Sequence, residues 1–199
     1  IRETVCGTGN KRKRVLVWVC PYYARWVGVL ERCLCEKFKK KLPCYEDVRV
    51  CEEWLTFSNF KAWMETQDWE GKYLDKDILS SGSRIYSPDT CAFVTPRVNS
   101  IVADSRRDGE RSRLLLGVGR AKKKFTARVT NFEGERQFLG VFNSPEEAHR
   151  AWQKHKVGVL MDVASTCDDN RIAERLMEAA DRIKYDYDNW QITNKIWRC

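Results

Sequence analysis

Two rhythms of apolar spacing organise this chain. Between Phe125 and Val141 the rhythm is two. Phe125, Ala127 and Val129 fall on one side of an extended chain, and Thr126, Arg128 and Thr130 on the other. Asn131 to Gly134 supply turn residues. Arg136 and Phe138 then alternate with Leu139 and Val141, with Gly140 inside the strand. The stretch 114–157 therefore reads as three short strands and a helix. Ser144 is placed to cap that helix, Pro145 suits its first position, and Glu147 completes a capping box. Ala148, Ala151 and Trp152 follow at helical spacing and are expected to pack on the apolar face of the sheet.

Elsewhere the rhythm is three to four. Tyr23, Trp26, Val27, Leu30, Cys33 and Leu34 predict a helix from Pro21 to about Lys37. Trp54, Phe57, Phe60, Trp63 and Met64 suggest a second around Asn59–Gln67, and such a Trp/Phe stripe reads as core. Leu42–Asp47 is a loop and Val48–Cys51 a short strand. Tyr73–Leu79 is a candidate strand, Ser80–Ser83 a turn, Arg84–Tyr86 a returning strand and Pro96–Ala103 a helix. Ile172, Leu176, Ala179, Ala180 and Ile183 predict a last helix over Asp169–Ile183. The fold class is α+β: N-terminal Trp-rich helices, a ββα element, a three-stranded antiparallel sheet packed on a helix, and a C-terminal helix.

Charge adds a partner to this picture. The chain carries a net charge of +8 with a pI near 9.0. From Ser105 to Arg128 there are nine basic residues and two acidic ones. Arg120, Lys122 and Lys124 lie on or beside the predicted sheet, on the strand that carries Arg128 or just before it. A one-sided basic sheet backed by a helix suits a DNA groove. No run of eighteen apolar residues occurs, so no membrane span is expected. VLVWVC at 15–20 follows KRKR but is too short for a leader and reads as a strand. The tryptophan-rich, charged composition reads as intracellular, so the nine cysteines are expected as free thiols, and the lack of a Cys-x-x-Cys pair predicts no zinc.

Candidate chemistry lies in 73–103. Asp75, Lys76 and Asp77 fall near a strand end, and Asn99 projects from the following helix. A carboxylate and an amide oxygen are hard ligands that suit Mg²⁺ or Mn²⁺, which can polarise a phosphodiester. An Asp-x-Asp beside a turn is more often a solvated or turn-capping pair.

Two resemblances sharpen these expectations. GVGRAKKKFTARVT and GERQFLGVFNSPEEAHRAW resemble the Apetala-type, or ethylene-response-factor, DNA-binding domain. That resemblance implies a sheet laid in the major groove of double-stranded DNA, with Arg128, Thr130, Arg136 and Phe138 at contact positions. CPYYARWVGVLERC, VCEEWLTFSNFKAWM and LDKDI with YSPDTCAFV resemble the phage-encoded branch of the HNH endonucleases. That resemblance implies a ββα-metal, homing-type nuclease. Asp75 and Asn99 fall at its metal-ligand positions, Lys76 where its general-base histidine stands, and Ser83 where an asparagine is usual. The only histidines, His149 and His155, lie on the helix behind the sheet and read as ordinary helix residues. Lys76 between two carboxylates is suited to gripping a phosphate as a cation, and Asp77 to acting as a base through water. The implied organisation is a nuclease domain over 1–103, a basic linker over 104–113 and a DNA-binding domain over 114–199. Two readings follow: a metal-dependent DNA endonuclease, or a catalytically inactive relative that acts by occupying DNA.

Overall fold

In a computed structural model, residues 2–6, 12–16, 18–103, 114–194 and 196–197 are described. They form six α-helices and an antiparallel three-stranded sheet, with shorter strand pairs, in an α+β arrangement. The linker expected at 104–113 lies outside the described residues. The chain separates into two compact units, Ile1–Gln67 and Asp68–Cys199.

In the first unit, β1 (Arg2–Cys6) and β2 (Arg12–Leu16) pair antiparallel. Of the strand expected at 15–20, Val15 and Leu16 belong to β2, residues 18–20 are not in a strand, and Val17 lies outside the described residues. Helix α1 (Pro21–Leu34) buries Val29 and Cys33. It stops short of Lys37 because Cys35 is extended, and a short α2 (Glu36–Lys41) follows. After the two-residue β3 (Arg49–Val50), α3 (Phe57–Glu65) buries Phe60 and Met64. Trp54 joins these helices. Its ring meets Phe60 at 5.0 Å and Trp63 at 4.5 Å, and its carbonyl accepts the Trp26 indole N–H at 2.7 Å. The aromatic stripe is core, held by packed rings and one satisfied indole donor.

The second unit begins with β4 (Tyr73–Asp75), shorter than the expected Tyr73–Leu79. Asp75 ends it: its carboxylate accepts the backbone N–H groups of Asp77 at 2.8 Å and Ile78 at 2.9 Å, which turns the chain out of the strand. The returning strand is also displaced. Ile85–Tyr86 forms a two-residue β5, but the partner of β4 is β6 (Ala92–Val94), with Asp75 opposite Ala92. The Ser87–Thr90 turn intervenes, closed by Thr90 Oγ1 donating to the Ile85 carbonyl. Helix α4 (Pro96–Ala103) follows β6 directly.

Strands β7 (Val118–Ala121), β8 (Lys124–Thr130) and β9 (Arg136–Phe142) form the sheet in that order. Helix α5 (Pro145–Ser165) starts as its sequence dictates, with the Glu147 N–H donated to Ser144 Oγ at 3.1 Å. The Glu147 carboxylate reaches back to the Asn143 N–H, one residue beyond a standard box. Helix α6 (Asn170–Asp188) is capped by Asp169 and returns along α5.

The main core of this unit joins all of its layers. Ile78, Val94, Val98 and Ile101 pack with Val129, Trp152, Leu160, Leu176 and Ile183. The ββα segment, expected to belong with the N-terminal helices, therefore shares its interior with the sheet and α5–α6. Burial on this scale, at roughly 25 cal/mol per Å² of apolar surface, outweighs any single polar contact in the unit. No helix among the described residues is long and apolar enough to cross a membrane.

Candidate nucleic-acid interface

The sheet has one covered and one open face. Val118 and Ala127 are buried with Ala148 of α5, and Val129 lies in the main core. On the open side, register aligns Thr126 with Val141 and Arg128 with Phe138. Phe138 is 54% and Val141 52% exposed, and Lys124, Arg128 and Arg136 are exposed. The Arg128 guanidinium lies 5.9 Å from the centre of the Phe138 ring.

A β-bulge creates this face. Ala127 pairs with Gly140, but Arg128 pairs with Phe138, leaving Leu139 as the extra residue. Gly140 adopts φ +140°, a conformation that side-chain-bearing residues rarely take. Strict alternation assigns Phe138 and Val141 to opposite sides. The bulge resets the phase, so Val141 joins the open face while Leu139 and Phe142 turn toward the helix. The lone glycine within an otherwise regular strand was the sequence signal for this change.

Two expected contact residues stand apart from that face. Thr130 is 4% exposed. It ends β8 where the following turn packs on α4, with the Arg97 guanidinium 4.4 Å from the Phe132 ring. Arg120 is exposed, but its register opposite Phe125 places it on the helix side of the edge strand. Lys122, at φ +52°, and Lys123 form the exposed tip between β7 and β8. Arg120, Lys122, Lys123, Lys124 and Arg128 make no ion pair with any described residue.

The acidic loop is closed. Asp75, Lys76 and Asp77 are 6%, 3% and 6% exposed. The Lys76 ammonium is 2.5 Å from Asp77 Oδ1 and donates to the Ser83 carbonyl at 3.2 Å. One Asp75 oxygen already accepts two backbone N–H groups. Asn99 sits half-buried in the first turn of α4, its N–H given to the Thr95 carbonyl. Among the described residues no three His, Cys, Asp or Glu side chains gather as a metal site. These residues do not fit a divalent ion in this arrangement, because a lysine ammonium already occupies the place of the cation beside Asp77. Cys91, also in this region, is fully buried, and burial pushes its thiol up to about 12.

Neither histidine approaches this loop as a base. His149 Nδ1 lies 2.8 Å from the Leu116 carbonyl, and Nε2 accepts the Thr193 N–H at 3.0 Å. Both ring nitrogens are engaged in the neutral tautomer with Nδ1 protonated, and burial holds the imidazole below its usual range. His155 is exposed on α5.

No family model matches the chain, no curated protein matches it, and no solved structure matches it. The functional reading therefore rests on geometry and charge.

Proposed function

We propose that this chain binds double-stranded DNA through the open face of β7–β8–β9, and that the Asp75–Ser83 loop is a folding element rather than a hydrolytic centre. The observation that carries this reading is the outward array of Lys124, Arg128, Arg136 and Phe138 on a sheet whose other side is covered by α5. Cations on such a face engage phosphates, and an exposed ring beside a guanidinium offers an apolar contact to base edges. The resemblance to the Apetala-type domain supports the same face. The test is fluorescence anisotropy with a labelled duplex over a range of salt. Arg128→Ala combined with Arg136→Ala should weaken binding and lower the slope of log affinity against log salt by about two. Unchanged affinity in that variant would overturn the proposal.

A metal-dependent endonuclease is the second reading. It is supported by the order β4–β6–α4, which brings a strand-end carboxylate and a helix-borne amide into one ββα element, and by the HNH resemblance. Plasmid nicking with Mg²⁺ or Mn²⁺ that disappears in Asp75→Ala and in Asn99→Ala would favour it. Absence of nicking by a protein that retains DNA binding favours the first.

A further inference from the structure

A cavity of about 320 Å³ lies between residues 78–81 and α6. Buried apolar residues form its floor: Ile78 at 1%, Ala179 at 5% and Trp197 at 2% exposed. Its polar lining is cationic. Arg175 and Arg182, two turns apart on α6, both line it, against a single carboxylate, Glu178. Arg175 Nη1 holds that carboxylate at 2.6 Å, whereas Arg182 makes no ion pair with a described residue. The Ser80 hydroxyl has no hydrogen-bond partner among the described residues. Ser81 Oγ donates to the Ile196 carbonyl at 2.9 Å and so fastens the C-terminal segment as one wall.

We infer that this cavity binds a phosphate ester carrying a nucleoside-sized group. Guanidinium forks match the tetrahedral oxygens of phosphate and grip them with charge-assisted bonds. A hydroxyl donor at the rim adds to them. The volume exceeds what a bare phosphate needs and leaves room for the group the phosphate carries. Glu178 opposes the anion, so its pairing with Arg175 tunes the site downward rather than abolishing it. The inference goes beyond the sheet-mediated reading, since it requires neither the basic sheet nor a metal.

A free nucleotide and a DNA strand both present this chemistry, and titration of the full chain distinguishes them. The probes are inorganic phosphate, 5′-deoxyadenylate and an oligonucleotide without terminal phosphates, followed by calorimetry and by the amide NMR shifts of Ser80 and Ser81. Saturable deoxyadenylate binding that moves those amides is expected, with inorganic phosphate binding more weakly. The Arg175→Ala, Arg182→Ala double variant should lose about tenfold or more in affinity. Glu178→Gln should tighten binding by removing the competing charge. Both arginines are exposed, so the double variant keeps its fold. Arg128→Ala with Arg136→Ala should leave deoxyadenylate binding unchanged, which separates this site from the sheet. Competition by the oligonucleotide for the same amides assigns the source to the strand, and its absence to the free nucleotide. No saturable binding, equal affinity in the arginine double variant, or shifts confined to other amides would overturn the inference.

Discussion

Gly117 and Trp152 are in such close apposition that a β-carbon built on the glycine would stand 2.1 Å from the indole. The glycine also has φ +74°, so both its backbone and its lack of a side chain are used. This contact seats α5 against the start of the sheet. Gly117→Ala should destabilise the protein by about 3 kcal/mol, from left-handed strain plus overpacking of a fully buried ring. Gly71→Ala is the matched control. It shares a positive φ, +70°, but has nothing within 4 Å, so only about 1 kcal/mol should be lost. Urea denaturation of the two variants checks the difference. Equal costs would mean that the Trp152 contact relaxes freely.

Lys76 and Asp77 form a buried ion pair, with side chains 2% and 8% exposed. Removing one partner strands a charge in the interior, so Lys76→Met should cost about 3–5 kcal/mol. Lys76→Met with Asp77→Asn should cost much less than the two single changes added together. Denaturation of the full double-mutant cycle measures the coupling. A Lys76→Met protein as stable as the parent would return Lys76 to the list of candidate functional groups.

How much of this was legible before the fold was known depends on the range of the interactions involved. The start of α5 was legible because Ser144, Pro145 and Glu147 act within one turn. The apolar face of β8 was legible because Ala127 and Val129 follow a local period. The reach of the bulge was not, because Gly140 announces an irregularity without saying which neighbours change sides. Thr130 was misplaced for a tertiary reason: alternation puts it on the open face, and the packing of its turn against α4 covers it. The Asp75 loop shows the limit most clearly. Asp75, Lys76 and Asp77 are three adjacent residues whose sequence is compatible with both a metal site and the commoner capped turn. Only the hydrogen bonds from Asp77 N–H and Ile78 N–H, and the Lys76 ammonium beside Asp77, distinguish the two. The cavity at Arg175 and Arg182 joins segments about a hundred residues apart, which no local pattern can announce.

Cys91 lies at the centre of the same region, and its thiol is pushed to about 12 by burial, with the backbone at Ser87 opposing. Reaction with maleimides requires thiolate and access, and Cys91 has neither. Native protein treated at pH 8 should be labelled at the half-buried Cys20, Cys35, Cys44, Cys51 and Cys167 and left unmodified at Cys91. Labelling after denaturation should recover Cys91. Peptide mass mapping reads the pattern, and rapid native modification of Cys91 would show that the β4–β6 region opens on the labelling timescale.

His149 ties α5 to the C-terminal segment, and its burial gives that tie a pH dependence. Burial lowers the folded-state pKa. The Leu116 carbonyl and Asp186 pull it back up, and Arg150 adds to the lowering. The unfolded chain therefore takes up a proton near pH 6.5 while the folded chain does not. Stability from this residue is complete above that pH. It is lost as pH falls from about 6.5 toward the depressed folded value, at no more than about 1.4 kcal/mol per pH unit. Protonation of Nε2 also removes the acceptor for the Thr193 N–H and places a cation where a lone pair was used. His149→Gln can donate to the Leu116 carbonyl and accept from Thr193 without titrating. The stability difference between parent and His149→Gln should therefore shrink, or change sign in favour of the variant, as pH is lowered from 7.5 to about 5. The exposed His155 is common to both proteins and cancels from the comparison. Denaturation midpoints over that range test the claim. Parallel pH profiles would mean that the imidazole takes up its proton in place, with the Thr193 contact already broken.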